Sequence, residues 1–126
     1  HITPVEVPGG RVFSSVSTGA VFTCAVEQGT GAGYCWGYNG SGQLGFQSED
    51  TCADENGVPF ACSLTPGVVG GGLTFGSIIA NTQHVCGLTT DGVAYCWGLG
   101  SNGQLGDGSK GETVFRIEPV RVAGQL

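Results

Sequence analysis

The chain of 126 residues is one domain in length, and 40% of it is hydrophobic, enough for a core. Only 11% is charged, four basic residues against ten acidic, which excludes the basic stripe a nucleic-acid partner requires. The 25 glycines lack a collagen period and would break long helices, so a β-rich, turn-rich protein is expected.

The chain opens at His1 with no initiator methionine or leader, as a processed form or a piece of something longer would. The first element is ITPVEV (2–7), followed by FSSVSTGAVFTCAV (13–26), whose β-branched run predicts a strand over 21–26. GTGAG (29–33) mimics a dinucleotide-binding loop, but no helix follows, so it is expected to be a hairpin tip. YCWGYNGSGQLG (34–45) completes the hairpin, and its Asn39-Gly40-Ser41 is a formal glycosylation sequon in a loop expected at the surface. The segment FQSEDTCADENGVPFACS (46–63) reads as a loop insert. LTPGVV (64–69) begins a second round, with a strand expected over 85–88, then YCWGLGSNGQLG (95–106) and IEPVRV (117–122). No apolar run approaches the roughly 20 residues of a membrane helix, and Gly70, Gly71 and Gly72 interrupt the best stretch, so no membrane insertion is expected.

The duplication is plain. FSSVSTGAVFTCAV answers FGSIIANTQHVCGL (75–88), and the two Cys-Trp-Gly to Gly-Gln-Leu-Gly tracts answer each other. Pro4, Pro66 and Pro119 of the thrice-repeated element stand 62 and then 53 positions apart. One residue of the difference lies in the hairpin between the paired cysteines, and the other eight lie in the insert. Repeats therefore divide at the prolines: about 2–63 with the insert at 46–63, about 64–116, and a partial third at 117–126. A period of 50 to 60 residues with several strands marks a β-propeller blade. The fold expected is all-β, two blades plus the first strand of a third, within one unit spanning 1–126.

Six cysteines admit fifteen pairings, but the repeat equates Cys24 with Cys86 and Cys35 with Cys96. If Thr90-Asp91-Gly92 form a three-residue hairpin loop, Thr89 faces Val93 and Cys86 falls opposite Cys96. Facing residues of a non-hydrogen-bonded pair lie about 4.5 Å apart, within disulfide reach. The pairs expected are Cys24–Cys35, Cys52–Cys62 and Cys86–Cys96. The rival, a zinc site, lacks the short Cys-x-x-Cys spacing. An even cysteine count with one lysine and no methionine points to a secreted, oxidised chain.

The two tracts in register, with HVCGLTTDG (84–92) upstream and proline and valines downstream, resemble the repeat of the regulator of chromosome condensation family. The resemblance implies a propeller, typically of seven blades, and it favours the secreted, cysteine-bearing bacterial branch over the nuclear exchange factor. Secreted relatives that inhibit β-lactamases show that the resemblance allows a binding module. Two repeats leave open edges, so neighbouring copies or a longer chain would have to complete them.

Candidate sites follow from the same equivalences. Trp36 and Trp97, with Leu44 and Leu105, occupy the same place in each repeat and read as blade packing rather than ligand stacking. His84 answers Phe22, so it fills space rather than acting in catalysis. Glu49, Asp50, Asp54 and Glu55 read as a solvated loop, since a calcium loop would need an acid where Cys52 stands. No nucleophile elbow, zinc-protease motif or phosphate loop occurs, so neither an enzyme nor a cofactor is expected. The function expected is an extracellular structural protein, its copies joined head to tail along the strand shared by ITPVEV and IEPVRV, as an open filament rather than a ring. The alternative is a protein-binding module within a larger secreted propeller.

Overall fold

The computed structural model describes residues 7, 9–99 and 115–122. They form two antiparallel sheets. The first holds β1 (Phe13–Thr18), β2 (Phe22–Glu27), β3 (Gly33–Tyr38), β4 (Asp50–Ala53) and β5 (Pro59–Val68), ordered β1-β2-β3-β5-β4. A single 3-10 turn, Gly70–Gly72, leads to the second, ordered β6 (Phe75–Ala80), β7 (His84–Thr89), β8 (Ala94–Leu99) and β9 (Phe115–Arg121).

The two sheets repeat each other down to their irregularities. Each first strand carries a bulge in the same place, between Phe13 and Ser15 and between Phe75 and Ser77. Each third strand is interrupted after its paired cysteine, where Trp36 or Trp97 stands. Opposite those tryptophans the fourth strand bulges through Leu64-Thr65-Pro66 or Ile117-Glu118-Pro119. Proline has no N–H to donate, so a proline strand tolerates a gap in the pairing there. Gly37 and Gly98, at φ of 107° and 95°, turn the chain where a side chain would strike the backbone of the preceding strand.

The hairpins carry the register that the cysteines need. Thr89 donates its N–H to the Val93 carbonyl at 2.9 Å, Gly92 takes φ of 85°, and Cys86 faces Cys96. The structure holds Cys24–Cys35 and Cys86–Cys96 with Cα atoms 4.1 Å apart in both, and Cys52–Cys62 at 5.9 Å.

Three expectations change. The prolines do not divide the sheets: LTPGVV runs along β3 within the first sheet, and IEPVRV along β8 within the second. Residues 117–121 therefore close the second sheet instead of opening a third. The edge along which a neighbouring copy was expected to add is already filled by β9. A tandem repeat has no intrinsic starting point, and only pairing sets its phase. The insert, expected as a loop, is a hairpin whose strands pair from Asp50↔Cys62 to Ala53↔Pro59. Its polar sequence hides the strands because the hairpin lies at the sheet's outer edge and its residues are mostly exposed.

Both sulfurs of Cys24–Cys35 belong to fully buried residues, whereas Cys52 and Cys86 are half-buried. Thiol–disulfide exchange needs access to sulfur. Native-state reduction followed by timed alkylation and peptide mass mapping should label the Cys52–Cys62 and Cys86–Cys96 pairs before Cys24–Cys35. Early labelling of Cys24 would contradict this burial.

Candidate functional site: the blade faces

The sheets meet face to face, β1 and β2 packing on β6. Trp97 lies at the centre of the joint, wholly buried, with Leu44, Val69, Phe75 and Val85 in the same apolar cluster. Its indole N–H donates to the Gln43 carbonyl at 3.0 Å, tying the second sheet to the loop that leaves β3. Asn39 shapes that loop. Its Oδ1 accepts from the Leu44 N–H at 3.0 Å, while its Nδ2 donates to the Phe46 carbonyl at 2.9 Å and to Ser48 Oγ at 3.1 Å. Gln43 is buried beside it, its Oε1 accepting from the Ser41 N–H at 2.8 Å.

Further bonds close the corners of the joint. The Ala80 N–H donates to Ser17 Oγ at 2.9 Å, and the Phe75 N–H to the Gly31 carbonyl at 2.7 Å. Gly33 lets the sheets approach. A Cβ there would lie 2.9 Å from Ile78 Cδ1 and 3.0 Å from the Phe75 ring.

Comparing equivalent positions shows what each outer face lacks. Val16 is 59% exposed, yet its counterpart Ile78, pressed into the joint, is 6% exposed. Trp36 is half-buried and stacks on Phe13 at 5.7 Å, with no preceding loop over it such as Gln43 lays over Trp97. On the other side, Leu88 is 47% exposed where Val26 is 3% exposed. His84 is half-buried where Phe22 is buried. The front of the first sheet and the back of the second are thus two halves of one joint, each without its complement among the described residues.

The remaining candidates fall elsewhere. Leu105 lies outside the described residues. The Asn39 sequon is not at the surface: the side chain is buried and its amide nitrogen is taken up by the two bonds above. The acids serve their own turns, Asp54 Oδ1 accepting from the Asn56 and Val58 N–H groups and Asp50 Oδ2 from the Leu64 N–H. Among the described residues no three His, Cys, Asp or Glu side chains are placed to hold a metal, and no helix is long and apolar enough to cross a membrane. Missed by sequence is an open cavity of about 700 Å³ where the insert hairpin leans on β3, with Tyr38 and Phe60 rings 5.4 Å apart. Its only sequence signal is the lone aromatic of the insert's second strand.

Residues 80–104 match the family model described as the regulator of chromosome condensation (RCC1) repeat. The chain is 29% identical over 116 residues to protein pim1 of Schizosaccharomyces pombe, covering 89% of this chain and 21% of that protein. It is 28% identical over 120 residues to the ultraviolet-B receptor UVR8 of Arabidopsis thaliana, covering 94% and 24%. Among solved structures, yeast RCC1 (Prp20), crystallised with Kap60, superposes with a TM-score of 0.77 at 22% identity, covering 95% of this chain and 26% of that one. Human WBSCR16 superposes at 0.72 and 17% identity, covering 94% and 28%. The chain spans about a quarter of the length of the curated relatives it matches.

Two outcomes follow from the asymmetry of the faces. Trp97→Ala should cost about 3 to 5 kcal/mol in denaturant unfolding, and Trp36→Ala clearly less, because only Trp97 is enclosed. Equal losses would show that both indoles are packed alike. Burial lowers the His84 pKa below the ordinary histidine value. A depressed folded pKa contributes stability that is present above the unfolded value and lost as pH falls through the folded one. Melting temperature should therefore drop between pH 7 and pH 5, and His84→Phe, the Phe22 counterpart, should flatten that drop. Glu27, whose pKa is lowered by its bonds to Thr30 and Arg11, acts only below the ordinary carboxylate range, outside this window.

Proposed function

We propose that this chain, a segment of RCC1-like β-propeller repeats, is a non-enzymatic extracellular structural unit that works through protein contact and joins its own copies head to tail. The observation that carries this reading is the exposure of Val16 and Leu88 at positions whose counterparts, Ile78 and Val26, are enclosed by a neighbouring sheet. An isolated apolar sheet face is not left to water without cost, and the two uncovered faces here are opposite halves of the same contact. Association is accordingly face to face, not by addition of a strand at the edge that β9 fills. A contact of this heterologous kind propagates into a filament unless its rotation closes a ring. Three disulfides among the described residues support an oxidising, extracellular setting.

A second reading rests on coverage. Because the chain answers to about a quarter of its curated relatives, the same faces suit further blades of a larger propeller that binds another protein. Yeast Prp20p, whose structure is titled with its binding to Gsp1p and histones, is a relative that works through such contacts.

Sedimentation velocity and electron microscopy on the oxidised 126-residue chain separate the two. Self-association predicts species that are multiples of the 12.7 kDa chain and grow with concentration. A monodisperse 12.7 kDa monomer at high concentration would overturn it and leave the larger-propeller reading.

A further inference from the structure

We infer that Val16 of one copy seats over Ala94 of the next, and that this pair sets the register and selectivity of the joint between copies. The inference rests on the head-to-tail reading above and adds the residues that make the chain fit itself. At the joint inside the chain, Ile78 lies over Gly33, and its δ-methyl occupies the space a Cβ on residue 33 would need. By strand position, Ala94 of β8 corresponds to Gly33 of β3, and Val16 of β1 corresponds to Ile78 of β6.

The outer back face therefore already carries the methyl that the internal joint excludes. A blade bearing isoleucine at the Ile78 position would bring its δ-methyl onto the Ala94 methyl, overpacking the contact. Val16 lacks that δ-methyl. One methyl is gained at Ala94 and one is lost at Val16, so the chain's front face fits its own back face with the volume unchanged. The occupant is thus a second copy rather than a blade like the chain's own second sheet.

The rest of the internal joint does not carry over. The hydroxyl of Ser17, which bonds the Ala80 N–H, is replaced on the back face by the alkyl side chain of Ile79. Gly19, where a Cβ would collide with the Asn81 carbonyl, is replaced by Asn81 itself. The corner that closes tightly inside the chain is held wider between copies. With that corner open, the small-residue seat at Ala94 is what aligns the two faces.

Sedimentation equilibrium on the full oxidised chain tests this. Val16→Ile should weaken association about tenfold or more, and adding Ala94→Gly to it should restore association to near wild type. Val16 is exposed in the single chain, so the melting temperature of Val16→Ile at concentrations where the protein is monomeric should be unchanged, which separates a joint defect from misfolding. Ala94→Val approaches the seat from the other side and should weaken association in the same way. Within one chain, Gly33→Ala should lower the melting temperature and Ile78→Val should recover it, a control on the methyl exchange itself. If Val16→Ile associates like wild type, or Ala94→Gly fails to rescue it, the seat is wrong although copies still join. If the wild-type chain does not associate at all, it is the head-to-tail reading that fails.

Discussion

The structure depends on one packing constraint: a sheet of four short strands cannot cover its own faces, so each sheet is completed by the next. Trp97 shows how the constraint is met. Its ring is enclosed by the neighbouring sheet's loop, and its one polar atom is satisfied by a carbonyl of that same loop. Buried indole needs both, since an unpaired N–H would offset part of the apolar gain. The loop can serve because Asn39 satisfies its backbone from within, leaving the Gln43 carbonyl free to turn outward. A short Asn-to-Gly tract thereby acts at a distance, on a residue 54 positions further along the chain.

Sequence repetition made much of this legible. Equating the cysteines and counting back from Thr90-Asp91-Gly92 placed Cys86 against Cys96, because a three-residue hairpin admits few registers and the strand period does the rest. The all-β architecture followed from glycine content and from short β-branched runs. Repetition was silent on phase. It states which residues correspond, but LTPGVV fits equally as the end of one sheet or the start of the next until pairing decides.

Equivalence also hid the asymmetry that matters most. Trp36 and Trp97 are identical in sequence context, yet one stacks on Phe13 at a half-open face and the other is sealed. Burial at a joint belongs to the pair of sheets, not to the residue, so no feature of the Trp36 tract alone can report whether a preceding blade exists. Asn39 was misplaced for a related reason. A turn rich in glycine and polar residues reads as solvent-facing, but here its polarity is directed inward, to hold a loop that must be rigid to receive the next tryptophan.

The high glycine content then has a specific role beyond turns. Gly33 and Gly19 stand where the sheets come closest, and side chains there would separate the faces. Thin apolar contacts of this kind leave little core per residue, and the cross-strand disulfides compensate by fixing each hairpin before the sheets meet. The insert sits outside this economy of space. β4 pairs with β5 at the edge remote from β1, and neither strand packs on the second sheet. An edge hairpin with its own disulfide and an aromatic-lined cavity can therefore vary without disturbing how blades join. The fold thus separates assembly, carried by the faces, from any recognition specific to this chain, which the geometry assigns to the edge.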